Sequence, residues 1–338
     1  MLHRIIFINL LIASALLLPG SADPVEAGNK PRIVRTATLA PRGSPIYRSF
    51  KKLDKVLKEV SGNTWSAQVF SGGIAGDEKD VIRKMRVGQM DAAVLTTTGL
   101  SQIVKQVALL DTPGVIDSYA DLDAVEKAMF EEWQQMFWKA DFRLTGWWEA
   151  GRYRLFSKGP IRTLEQLKAH RAWLWPDSLV LNELWRAAGI TAVPLGVPDV
   201  YGALQTGMVD CAITTPEALI ALVWHSQLDH MSGNPTGVLL MGWLVNRKVW
   251  EAMPENVRQA VEKWIAETKQ EQKKTARKMD VVYSKRLIKR GMVETRPTPQ
   301  YVKDEEKINQ TVRKRLTGRV WPADLFKRVM AITGKNRK

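Results

Sequence analysis

Two tryptophans one residue apart, Trp173 and Trp175, carry the clearest chemistry in this sequence. Alternation along a strand puts both rings on one face, where they form an aromatic wall that Trp147 or Trp148 can extend. Such rings bury on the order of 150–250 Å² each, which suits an apolar or flat ligand, and their faces attract a quaternary ammonium. The alternative is that the rings fill a core, the reading preferred for Trp185, Trp224 and Trp264 on apolar helix faces. Catalytic signatures are missing: there is no Gly-x-x-x-x-Gly-Lys loop and no Gly-x-Ser-x-Gly elbow. His170, His225 and His230 form no His-x-x-x-His pair, so no metal is expected. The Asp and Glu residues scatter over helix faces and read as solvated surface. The chain is therefore expected to catalyse nothing and to need no cofactor.

The elements that must position these residues begin after a leader. Arg4 and the apolar run from Ile5 to Leu18, ended by Pro19-Gly20-Ser21, read as a secretory signal with cleavage after Ala22 or Ala27. A run of about fourteen residues falls short of the roughly 20 that a spanning helix needs. The mature protein is expected free in the periplasm, with roughly 310 residues to build two domains. Cys211 is alone, so no internal disulfide forms, and its neighbours Val209, Ala212 and Ile213 point to a buried strand. The net charge of +15 is spread along helices, as in Lys269 to Lys278, without the aromatic interleaving of a single-strand binder. That excludes nucleic acid as the expected partner and leaves a solvated basic surface, with attraction to anionic membranes as a secondary consequence.

Strand and helix patterns then alternate. Ile33 to Leu39, Trp65 to Phe70 and Met90 to Leu95 read as strands, separated by helices through Leu53 and from Asp77 to Val87. That order implies a mostly parallel sheet covered by helices. After the helical stretch Asp121 to Lys139, the alternation restarts near Gly151. Strands are expected at Arg171 to Trp175, Ala192 to Leu195 and Asp210 to Thr214, with helices at Ser178 to Ala188, Pro198 to Thr206 and Glu217 to His225. From Glu255 to Arg290 there is neither Gly nor Pro. The segment is either one helix of about 54 Å, long enough to brace both units, or two helices with an unmarked break.

The order of short motifs resembles the solute-binding proteins of TRAP (tripartite ATP-independent periplasmic) transporters, the DctP-like family. The N-terminal part carries Ala40-Pro41-Arg42-Gly43, Phe70-Ser71-Gly72-Gly73, Val87-Gly88-Gln89-Met90-Asp91 and Leu110-Asp111-Thr112-Pro113. The centre carries Arg154-Leu155-Phe156-Ser157, Thr163-Leu164-Glu165-Gln166-Leu167-Lys168, and Val200-Tyr201-Gly202-Ala203-Leu204 through Gly207, then Val209-Asp210. Trp250-Glu251-Ala252-Met253-Pro254 opens the long helix. The resemblance implies two α/β domains of the periplasmic-binding-protein type II kind, with a hinge, an interdomain cleft and a long C-terminal helix as brace. It implies domains of residues 28–150 with 236–285 and 151–235 with 286–338, following a leader at 1–27. The expected partners are a small-molecule ligand and the small and large TRAP membrane subunits.

One departure from the family pattern bears on the ligand. Most members of the family hold organic acids with an arginine two residues before a proline, in a strand after the Leu-Lys segment. Counting without a gap from Leu167-Lys168 puts Trp173 at that position, before Trp175-Pro176. The family's asparagine position falls on Thr214, the end of the third strand on Thr96 and Thr97, and two further site positions on Leu39 and Val197. Only Arg154 keeps a basic residue at an acid-assisting position. The expected site is thus Trp173, Trp175, Arg154, Thr214, Thr96, Thr97, Leu39, Val197 and Trp148, accepting an uncharged or hydrophobic, even aromatic, molecule. Two alternatives stand beside it: a carboxylate held by Arg154 with help from Arg152, or an interaction module for a periplasmic tetratricopeptide-repeat protein.

Overall fold

The computed structural model describes residues 31–335. The expected leader, with its cleavage sites after Ala22 and Ala27, lies outside the described residues. The chain runs β1 (Arg32–Thr38), α1 (Pro45–Val60), β2 (Trp65–Phe70), α2 (Glu78–Arg86), β3 (Ala92–Thr96), α3 (Thr97–Ser101), a 3-10 turn at Lys105–Asp111, α4 (Tyr119–Lys139) and β4 (Phe142–Ser157). It continues through α5 (Leu164–Ala169), β5 (Trp173–Leu174), α6 (Leu179–Ala188), β6 (Val193–Pro194), α7 (Val197–Thr206), β7 (Cys211–Thr214), α8 (Pro216–Ala221) and a 3-10 turn at Trp224–Ser226. Then come β8 (His230–Ser232), β9 (Thr236–Asn246), α9 (Arg247–Glu251), α10 (Glu255–Lys289), β10 (Val293–Thr295), α11 (Pro299–Leu316) and α12 (Ala323–Ile332).

Local chemistry sets the element ends. Ser44 accepts the Tyr47 amide before Pro45 opens α1, and Ser118 and Asp121 close a capping box on α4. Gly189 and Gly207 end α6 and α7 in the left-handed conformation. The segment expected as one helix from Glu217 to His225 instead breaks, because Val223 takes a φ of 64° between α8 and the following turn. Thr215 caps α8 through the Ala218 amide.

β1 pairs in parallel with β2 and β3, as the β-α-β-α-β order requires. The sheet is mixed rather than mostly parallel, however: β9 pairs antiparallel with β3, and β4 antiparallel with β9. These two strands return from far along the chain, a pairing that local periodicity does not reveal. The first half of β4 pairs with Leu240–Asn246, while Arg154–Ser157 pairs with β7 and Phe156–Ser157 with β8. Between the halves lies an irregularity at Gly151, where φ is +90° and a Cβ would meet Asp280 at 3.1 Å. One strand therefore serves both parts of the fold.

The helix α10 is a single unbroken element of 35 residues. Val257, Val261, Trp264 and Ile265 pack with Phe50, Trp148 and Trp243 in one core, and Leu287 packs with Trp173, Trp224 and Met231 in another. Between them Arg277 bonds both Asp123 and Glu149 at 2.6–2.9 Å. The helix braces both ends of the molecule. The C-terminal segment divides: α11 reaches α6, where Arg315 and Arg319 bond Glu183, whereas Leu325 and Val329 of α12 share a core with Val125 and Trp133 of α4. No helix among the described residues is long and apolar enough to cross a membrane.

Candidate functional site

A cavity of about 230 Å³ lies where the carboxyl ends of β1, β3, β5 and β7 converge, walled on the far sides by α6, α8 and the middle of β4 and β9. Crevices at strand carboxyl ends are the usual place for ligands in α/β sheets. Six of the nine expected residues line it: Leu39, Thr96, Trp173, Trp175, Val197 and Thr214. The Trp173 and Trp175 rings stack, with centroids 6.0 Å apart and planes 28° from parallel. Trp224, expected as core, also reaches the wall and meets Trp173 edge-on at 5.2 Å.

The polar ends of the two rings are already committed. Trp173 Nε1 donates to the Leu195 carbonyl and Trp175 Nε1 to Asp77 Oδ2, both at 2.9 Å. What the rings offer a ligand is therefore aromatic surface, not an N–H. Thr96 is committed too: its amide and hydroxyl both donate to the buried Glu78, at 2.7 and 2.9 Å.

Three expected residues lie elsewhere. Trp148 shares a strand face with Ala150, which does line the cavity, but sits one pair further along β4. There it packs against Phe50 at 5.7 Å and Trp264 at 6.3 Å. Trp147 faces the opposite side and packs on Phe130. Thr97 is buried at the first turn of α3, where the strand alternation ends and Thr98 turns to the wall in its place. Arg154 also lies off the wall, its Nη1 donating to the Ser232 carbonyl at 2.7 Å. Arg152 likewise donates to the carbonyls of Asp117 and Pro235, at 2.7 and 3.0 Å. Neither arginine lines the cavity.

Sequence reasoning missed the acids. Asp111, Glu217 and Glu305 line the cavity, and no Lys, Arg or His among the described residues does. Asp111 accepts the Tyr153 hydroxyl at 2.9 Å, and burial pushes its carboxyl up to about 6. Burial, with Asp280 adding like charge, pushes Glu217 up to about 7. Burial and then Glu306 raise Glu305. Asp111 sits in a motif already singled out, Leu110-Asp111-Thr112-Pro113. Nothing local distinguished Glu217 and Glu305 from solvated helix acids. Cys211 is free and fully buried in β7, where burial raises its thiol pKa. No cluster of three or more His, Cys, Asp or Glu among the described residues is placed to hold a metal ion.

A fold of this kind, with a solute-sized cavity between two α/β halves, has known relatives. Residues 36–317 match the model of DctP, bacterial extracellular solute-binding protein family 7. The chain belongs to this family. Among DctP proteins it is 23% identical over 262 residues to the C4-dicarboxylate-binding periplasmic protein DctP of Rhodobacter capsulatus, covering 76% of this chain and 75% of that one. A TRAP periplasmic solute-binding protein of Sulfurospirillum deleyianum, solved with bound succinate, superposes with a TM-score of 0.81 at 18% identity, over 90% of this chain and 99% of the other. The sugar acid binding protein of Advenella mimigardefordensis, in complex with galactonate, gives 0.83 at 15% identity, again over 90% and 99%. The two-domain α/β architecture of the DctP fold is thus shared in full, at identities that carry no ligand across.

Proposed function

We propose that this chain is the periplasmic receptor of a TRAP-type transporter, capturing a small molecule with an apolar or aromatic body and delivering it to the membrane subunits. The observation that carries this reading is the cavity wall. Trp173 and Trp175 stack along one side, Val197, Leu39 and Leu181 continue it, and no basic side chain among the described residues is present to pair with a carboxylate. An organic acid held through Arg154 finds no support in that geometry. The volume supports a compact solute: a cavity of about 150 Å³ accommodates benzene, and about 230 Å³ adds room for a short side chain.

The two halves are proposed as residues 28–150 with 236–285 and residues 151–235 with 286–338, except that α12 at the end of the second segment packs on α4 and moves with the first half. The halves move about the β4 and β9 crossings while α10 braces them. Solute would favour the closed population. The leader at residues 1–27 would direct export and be removed. Native mass spectrometry of gently purified mature protein, followed by solvent extraction, tests the reading. An apolar or aromatic molecule released from the cavity is the expected result. A small carboxylate lost on Arg154→Ala would overturn it and return the chain to acid binding.

A further inference from the structure

The solute cavity reverses the sign of the chain around it. The sequence carries 50 basic against 35 acidic residues, yet Asp111, Glu217 and Glu305 line the cavity with no base among the described residues. Glu217 stands part-buried in the first turn of α8, and among the described residues neither a hydrogen bond nor a cation offsets its removal from water. A carboxylate withdrawn from water without a partner is costly, and a pair partner supplied by a ligand removes that cost. A second anion in the same low-dielectric space would instead add repulsion. The rings complete the picture, since Trp173 and Trp175 have given both N–H groups to the protein and keep only their π surfaces free. Such surfaces hold cations.

We propose that the solute carries a protonated or quaternary nitrogen, taken up by Glu217, on an aromatic or branched apolar body received by the Trp173–Trp175 wall. This names the polar end of the solute and rests on the reading of the cavity given above. Glu217 is then the residue that sets specificity, with Asp111 as a second acid on the same cavity.

Matched probes separate the possibilities by calorimetry on ligand-stripped protein: 2-phenylethylamine, benzyltrimethylammonium, 2-phenylethanol and 3-phenylpropionate. The two cations are expected to bind at least tenfold more tightly than the alcohol, and the carboxylate most weakly. Benzyltrimethylammonium keeps its charge at every pH, so its affinity reports the protein alone. It is expected to rise between pH 5 and 8 as the raised carboxyls ionise. The titratable groups facing them are Asp280 and Tyr283 of α10 for Glu217, and Tyr153 for Asp111. Glu217→Gln, which preserves shape, is expected to remove the preference for cation over alcohol and flatten the pH profile. Alcohol binding in that variant reports whether the cavity is intact. Equal affinity for cation and alcohol would overturn the cationic anchor while leaving the apolar reading standing. Tightest binding of the carboxylate, or binding of none of the four, would overturn both.

Discussion

Trp173, which the ungapped count from Leu167-Lys168 sets at the arginine position of the family pattern, is held in the cavity wall by its surroundings. An arginine there would offer donors in a fork. The indole offers a ring braced from three sides: its N–H is held by the Leu195 carbonyl, Trp175 stacks beside it, and Trp224 meets it edge-on, while the Trp173 backbone carbonyl accepts Trp185 Nε1 at 3.0 Å. Such a wall is rigid before a solute arrives, which reduces the ordering cost of binding. Trp173→Ala should lower stability by about 3–5 kcal/mol, measured by urea unfolding, because it empties a buried ring site. Trp173→Phe should retain most of that stability and most of the co-purified solute. Arg154 makes the opposite case. It is half-buried and its guanidinium serves the Ser232 carbonyl, so Arg154→Ala should cost about 1–3 kcal/mol of stability. The solute retained in native mass spectra should be unchanged by that substitution, and its loss from a folded variant would restore the acid-binding alternative.

At the scale of elements, the cavity depends on how strands end. β3 stops at Thr96, whose amide and hydroxyl close on Glu78, and Glu78 Oε2 also accepts the Gly99 amide at 2.7 Å. That carboxyl, reaching across from α2, fixes the turn that sends Thr98 rather than Thr97 to the wall. A Cβ on Gly99 would lie 2.5 Å from Glu78 Oε2. Gly99→Ala should therefore displace Glu78 and cost about 1–3 kcal/mol, read as a lower urea midpoint with unchanged slope. Much of this level was legible in sequence. The long gap without Gly or Pro became α10, and Leu39, Thr96, Thr214 and Val197 reach the cavity because each sits at the end of a strand or the start of a helix. The antiparallel crossings of β4 and β9 were not legible, since their partners lie about a hundred residues away and both faces are buried. Nor were the cavity acids. Glu217 on a helix looks the same in sequence whether bulk water or a cavity faces it.

Across the whole molecule, the wall doubles as a fastening between the proposed halves. Trp175 Nε1 reaches Asp77 Oδ2 at the start of α2, Lys79 meets Asp177 at 3.3 Å, and Gln102 Nε2 donates to the Asp177 carbonyl at 2.7 Å. All three contacts join residues 77–102 to residues 175–177, the segment that carries the aromatic wall. In the proposed closure a residue that lines the cavity would also hold it shut, so filling the cavity and closing it would favour one another. Burial raises the Asp77 carboxyl pKa, and the Trp175 N–H is among the bonds that favour its ionised form. Trp175→Phe deletes that N–H while keeping an aromatic surface on the cavity. A hydrogen bond to a charged group is worth about 1.5–3 kcal/mol, so the closed population of the empty protein should fall by roughly 10- to 100-fold relative to the open one. Small-angle scattering of the solute-free variant should give a larger radius of gyration than the parent, and saturating solute should bring the two together. Solute affinity should fall in parallel, because binding must now supply the closure energy that the Trp175–Asp77 bond provided. An unchanged radius together with unchanged affinity would mean that the bond holds only the start of α2, and that closure rests on Lys79, Gln102 and Asp177 instead.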